Sequence, residues 1–311
     1  MPLIVVPDDE PAVLAPSWAF QKLSHHDVRV YPTRPSSAAD LVGRIQDAEV
    51  VINIRATSRF DREVLNNCPK LRMISIWGTG TDHVDLNVAR GANIRITNTP
   101  GVSAVAVAEH TLSLMMAAAR QTVTVDRQVR DGKWPRVLGT QLRGKILGLI
   151  GTGAIGTEVA RLGRGIGMKV IAWTFHPRGD VADWVTFEDV FRRSDVVSVH
   201  VRQSPQTQGM IRREHFELMK PTAIFLNTAR GAIVREVDLM DVLRRERIAG
   251  AGLDVFENEP LPLNSPFYSM RNVVLSPHSA GTTPEATEAG LALAIKNVFD
   301  WLTGAPNNVV V

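Results

Sequence analysis

Short apolar runs alternate along this chain with longer polar stretches of helical period. In the first third the runs fall at Leu3–Val6, Val28–Tyr31, Glu49–Ile54, Leu71–Trp77 and Ile94–Thr99, with helix-compatible segments such as Ser36–Ala48 and Asp61–Cys68 between them. That rhythm predicts βαβ units and a parallel sheet. A long helix is predicted over Ala104–Arg120, and the rhythm restarts at Ile146 with further strands at Lys169–Trp173, Asp195–Val201, Ala223–Asn227, Gly250–Val255 and Val273–Ser276. Near-continuous Val/Ile/Leu runs suit sheets covered on both faces. Pro284–Leu302 reads as an amphipathic helix with Leu291, Ile295, Val298, Phe299 and Leu302 on one stripe. Thr282 and Glu285 stand at capping-box spacing, Pro284 suits the first turn, and Gly304 suits the stop. Met115 and Met116 read as core residues, and Arg244-Arg-Glu-Arg as a solvated helix face.

With 311 residues the chain is too long for one typical core, so two domains are expected. The net charge of +3 is small for this size and argues for neither a nucleic-acid partner nor a membrane surface. No apolar run reaches membrane-spanning length, because Glu109 and His110 interrupt the best one. The lone cysteine, Cys68, reads as a small buried side chain in a reducing compartment. The N-terminus lacks the basic and apolar regions of a signal peptide, and a cytoplasmic location is expected.

Chemistry enters at Ile146–Gly156. The apolar run Ile146–Ile150 leads into Gly151, Gly153 and Gly156, after which Thr157-Glu-Val-Ala-Arg-Leu reads as a helix. Strand, glycine turn and helix start are the parts of a dinucleotide site: the turn tightens, the backbone lies open to a pyrophosphate, and the helix amides of Ala154, Ile155 and Gly156 face it. Such a site usually has an acid about 20 residues on, which accepts hydrogen bonds from the ribose. Here the next strand ends in Thr174-Phe-His-Pro-Arg178. Without a repelling carboxylate, a 2′-phosphate is tolerated and Arg178 could pair with it, which tips the reading toward NADP. The alternative is a solvated Arg178, with NAD bound through Thr174.

Three later segments, each following a predicted strand, supply one reactive side chain apiece: Asn227-Thr-Ala-Arg230-Gly, Asp254-Val-Phe-Glu-Asn-Glu259-Pro and Ser276-Pro-His278. Ligands of open α/β sheets bind beyond the carboxyl ends of strands. His278 could exchange a proton near neutral pH, Glu259 could hold its other ring nitrogen, and Arg230 could bind a carboxylate or polarise a carbonyl. Each alone has an ordinary reading: a surface ion pair, a turn carboxylate, a satisfied loop histidine. Their joint position after three successive strands, downstream of a dinucleotide turn, favours a catalytic set.

With these segments, together with Gly78-Thr-Gly-Thr-Asp-His-Val-Asp-Leu, Val107-Ala-Glu-His-Thr, Ser194-Asp-Val-Val-Ser-Val-His and Met219-Lys-Pro, the chain resembles the D-isomer-specific 2-hydroxyacid dehydrogenases over essentially its whole length. The resemblance implies two Rossmann-like or flavodoxin-like α/β domains with parallel sheets: residues 1–99 with 282–311 as substrate domain, and an NAD(P)-binding domain, residues 100–281, inserted into it. It implies Arg230, Glu259 and His278 as the catalytic set. For the substrate carboxylate it implies backbone amides of Gly78, Thr79 and Gly80, with Arg55 and Arg230. Beside the cofactor it places Asp254, on the nicotinamide side, and Thr111, Thr228 and Gly281. The implied reaction is reversible reduction of a 2-keto acid to a D-2-hydroxy acid by NAD(P)H, without a metal. A homodimer formed through the Ala104 helix and the segment to Trp134 is also implied.

Two departures stand out. Thr174 replaces the usual Asp, and Arg202 stands where the family commonly has Pro, as a second 2′-phosphate contact or a solvated side chain. The end at Val311, with no regulatory domain, disfavours a long feedback-regulated phosphoglycerate dehydrogenase. A different class remains open: a nucleotide-sensing, corepressor-like regulator on the same fold, against which the intact Arg, Glu and His weigh.

Overall fold

The apolar runs form two parallel β-sheets in the computed structural model, which describes residues 1–311. The chain divides into two units, Met1–Ser103 with Thr282–Val311, and Ala104–Gly281.

The first unit carries β1 (Leu3–Val6), β2 (Asp27–Val30), β3 (Val50–Asn53), β4 (Met73–Ile76) and β5 (Arg95–Thr97), in the order β2-β1-β3-β4-β5. This is the flavodoxin-like order. Because strand side chains alternate in direction, the sheet is apolar on both faces. Val5, Val51, Ile74 and Ile76 pack with Leu41 and Ile45 of α1 (Ala38–Ile45), Val64 and Leu65 of α2 (Arg62–Asn66) and Ala89 of α3 (Leu86–Gly91). Ile4, Val6, Val50, Ile52 and Met73 pack with Leu291, Ala294, Ile295 and Val298 of α10 (Pro284–Leu302). Full burial of each such aliphatic side chain contributes about 1.5–3 kcal/mol, so the α10 stripe is what binds this helix to its sheet. The stripe ends one turn early, for Leu302 is 37% exposed. The cap also lies one residue later than the Thr282 spacing predicted. Pro284 takes the first helical position, so Thr283 stands directly before it and its Oγ1 accepts the Ala286 amide at 3.1 Å.

The second unit carries β6 (Ile146–Ile150), β7 (Lys169–Trp173), β8 (Asp183–Trp184), β9 (Val196–Val199), β10 (Ile224–Asn227), β11 (Gly250–Leu253) and β12 (Val273–Leu275), in the order β12-β11-β10-β9-β6-β7-β8. The order reverses between β6 and β9, the switch point at which such sheets bind ligands. One face lies under α4 (Ala104–Arg120) and α6 (Ala154–Gly165), through Leu114, Met115, Val159 and Ala160. The other lies under α7 (Phe187–Arg193), α8 (Arg213–Leu218) and α9 (Glu236–Arg244). Met115 is core as expected, but Met116 is 41% exposed, since the next position on a helix turns away from the face its neighbour buries. Between α4 and β6 runs α5 (Thr122–Arg130), which buries no residue. No helix is long and apolar enough to cross a membrane.

Candidate active site

The sharp turn between β6 and α6 has a backbone reason for each end glycine. Gly151 has φ +99°, and a Cβ there would stand 2.8 Å from the His200 carbonyl at the end of β9. A Cβ on Gly156 would stand 2.1 Å from the Gly151 carbonyl oxygen. Gly153, by contrast, faces open space and caps α6 without a side-chain hydrogen bond. The amides of Ala154, Ile155 and Gly156 therefore remain unused by the protein, at the positive end of a twelve-residue helix. An open glycine and unspent helix amides are the features a pyrophosphate requires, so the turn fits a dinucleotide.

Beyond β7, Thr174 is half-buried and His176 and Arg178 are exposed; Arg202, beyond β9, is exposed too. Deeper in the unit, Thr111 and Thr228 lie 2.9 Å apart at their hydroxyls. The Thr111 proton goes to the Val107 carbonyl at 2.7 Å, so Thr228 is the donor between them. His200, beneath the glycine turn, holds the Ser198 hydroxyl at 2.8 Å, and burial pushes its imidazole down to about 3. It is a neutral strut in the working pH range.

The loops after β10, β11 and β12 carry Arg230, Glu259 and His278. His278 Nδ1 lies 2.6 Å from Glu259 Oε2, and the other carboxylate oxygen accepts the Phe256 amide at 2.9 Å. Both oxygens being engaged, Glu259 has one orientation, and it fixes a hydrogen on Nδ1. Nε2 makes no hydrogen bond within the protein and is the ring atom available to a substrate. The His278 backbone is left-handed, φ +52°, and its amide donates to the Asp254 carbonyl at 2.7 Å. Arg230 Nη1 donates to the Ala229 carbonyl at 2.8 Å, and Asn227 holds the Arg230 carbonyl at 3.0 Å.

Asp254 is wholly buried. Burial alone would raise its carboxyl, but hydrogen bonds involving His110, Ser276, Ser279 and Ala280 outweigh that and hold it below the usual carboxylate range. His110 and Ser276 lie inside the segments Val107-Ala-Glu-His-Thr and Ser276-Pro-His278 that carry the resemblance, but their pairing spans 166 positions and no local pattern marks it.

In the first unit, Arg55 is less available than expected. Its Nε and Nη2 donate to the carbonyls of Glu10 and Pro11 at 3.1 and 2.6 Å, which ties down the segment after β1. The Gly78 amide is taken by Thr99 Oγ1 at 2.7 Å, whereas the Thr79 and Gly80 amides have no such partner. Gly281 closes the second unit just after the His278 loop.

Residues 112–280 match the NAD binding domain of the D-isomer specific 2-hydroxyacid dehydrogenases. A glyoxylate reductase from Aeropyrum pernix is 37% identical over 309 residues, covering 94% of this chain and 92% of its own. One from Thermococcus litoralis is 38% identical over 285 residues, covering 87% of this chain and 86% of its own. Among solved structures, an acyclic imino acid reductase in complex with NADPH and D-Arg superposes with a TM-score of 0.91 at 30% identity, covering 99% of this chain and 100% of its own.

Proposed function

The chain belongs to the D-isomer specific 2-hydroxyacid dehydrogenases, and from that premise we propose that it reduces a small 2-keto acid reversibly to the D-2-hydroxy acid. A nicotinamide dinucleotide held at the glycine turn would supply the hydride. His278 Nε2–H donates its proton to the carbonyl oxygen, and in the oxidative direction the same atom takes the proton back. Glu259 stabilises the imidazolium and keeps Nε2 facing the substrate. Arg230 pairs with the substrate carboxylate and polarises the carbonyl. Within the first unit the Thr79 and Gly80 amides are the donors open to a carboxylate, whereas the Gly78 amide and the Arg55 side chain are spent on that unit's own oxygens. Gly151–Gly156 would hold the dinucleotide, and Thr111, Thr228, Asp254 and Gly281 would line its path. Thr174, Arg178 and Arg202 leave room and charge for a 2′-phosphate, so NADPH is the favoured donor.

The observation that carries this reading is the oriented His278–Glu259 pair, 2.6 Å apart, with Nε2 unspent. A corepressor-like protein would not need that atom kept free. The test is oxidation of NADPH and NADH with a panel of 2-keto acids that includes glyoxylate and hydroxypyruvate. Turnover with NADPH and at least one of them is expected, and no turnover with either cofactor would overturn the reading. The same reading includes a cytoplasmic homodimer. Trp134 (83% exposed) and Leu138 (96% exposed), in the segment after α5, would be covered by the second copy. Light scattering at the monomer mass would refute that part.

A further inference from the structure

We propose that His110 is a positioning residue of the reaction: from α4 it braces, through Ser276 and Asp254, the loop that presents His278. The inference rests on the reading that His278 donates the proton.

The geometry assigns each hydrogen. The Ser276 hydroxyl lies 2.7 Å from Asp254 Oδ1, and His110 Nε2 lies 2.9 Å from the same hydroxyl. A carboxylate only accepts, so the serine proton points to Asp254. The serine oxygen then accepts, and His110 must carry its hydrogen on Nε2. That nitrogen also stands 3.6 Å from Asp254 Oδ1. Asp254 in turn takes the amides of Ser279 at 2.9 Å and Ala280 at 3.0 Å, while its carbonyl takes the amide of His278. The residues on both sides of His278 are thus held by one buried aspartate, and that aspartate is tied to α4 by one histidine.

The brace has something to hold. A non-glycine residue in left-handed backbone is strained and persists only where its surroundings over-determine it. His278 is such a residue, and its Nε2 has to meet a carbonyl oxygen within a few tenths of an ångström. A displacement of about 1 Å can cost on the order of 10²-fold in rate. A hydrophobic residue at 110 removes the donor to the serine oxygen and cuts the link from α4 to the loop.

The experiment compares His110→Leu, His110→Gln, Ser276→Ala and the double variant His110→Leu/Ser276→Ala. For His110→Leu, kcat is expected to fall about tenfold or more, with KM for the keto acid changed less than about threefold. The glutamine variant, whose side-chain amide supplies a donor at similar reach, recovers most of the loss. The double variant loses less than the product of the two single losses, because both cut one chain of hydrogen bonds. Hydrogen exchange at the Ser279 and Ala280 amides, expected to quicken about tenfold in His110→Leu, reads the brace without turnover. An inactive wild type would overturn the proposed reaction while leaving this measurement decisive. Wild-type kcat in His110→Leu, failure of glutamine to rescue, or unchanged exchange would each overturn the role of His110.

Discussion

Replacing Gly156 by alanine adds one carbon to the dinucleotide turn, and its cost follows from the coordinates. The new Cβ would stand 2.1 Å from the Gly151 carbonyl oxygen and 3.1 Å from its carbon. Ordinary contact is about 3.5 Å, so the overlap exceeds about 1 Å, and it is with backbone rather than with a side chain that could rotate away. The turn has little room on its other side, where even a Cβ on Gly151 would stand 2.8 Å from the His200 carbonyl. Forced overpacking of this kind costs about 1–3 kcal/mol. A shift of about 1 Å would also misplace the Ala154, Ile155 and Gly156 amides. Each hydrogen bond to a charged phosphate oxygen is worth about 1.5–3 kcal/mol, or roughly 10- to 150-fold in Kd. Gly156→Ala should therefore weaken NADPH binding at least about tenfold, and lower Tm by about 2–10 °C. Cofactor fluorescence titration and thermal melting measure the two. A variant with wild-type Kd and wild-type Tm would refute the account of the turn.

His278→Ala should lower kcat by at least about 10²-fold while leaving cofactor affinity near the wild-type value, read by steady-state kinetics and titration. Glu259→Gln keeps the shape but loses the charge. A charged hydrogen bond is worth about 1.5–3 kcal/mol, discounted here to about 1 kcal/mol because both partners are about a third exposed. Its kcat should drop about fivefold, less than for His278→Ala. Thr174→Asp restores a carboxylate at the end of β7 and should lower kcat/KM for NADPH about tenfold or more, with NADH favoured in its place; unchanged NADPH kinetics would put the 2′-phosphate elsewhere. Burial pushes the Cys68 thiol up to about 11, so native protein at pH 8 should react with a disulfide reagent at least about 100-fold more slowly than unfolded protein. Rapid native labelling would show that the side chain is accessible.

The strands were legible because each is a compact apolar run that needs cover on both sides. The two-residue β8 is too short to have a period. The helix α5 was missed for a related reason. It buries nothing, starts from Gln121 in left-handed backbone (φ +53°), and is rich in β-branched residues, so neither periodicity nor propensity marks it. At the site, the glycine turn and the chain positions of Glu259 and His278 could be read because local sequence marks them. The spending of Arg55 on two carbonyls could not. Those partners lie 44 and 45 positions away, and an arginine that braces a loop looks in sequence like one that binds a carboxylate. His110 was hidden in the same way, as a polar interruption whose partners arrive from the other end of the unit.

The division of the first unit into two stretches of chain sets an order for synthesis. Its sheet strands emerge first, but α10, which covers Ile4, Val6, Val50, Ile52 and Met73, is made only after the whole of Ala104–Gly281. At about 5–20 residues per second, that interval is on the order of 10–40 s. For that time the nascent chain carries a half-covered sheet, while the second unit has all it needs to fold. The inserted unit is therefore free to mature first, and the ribosome-bound intermediate presents a greasy face to whatever chaperone reaches it.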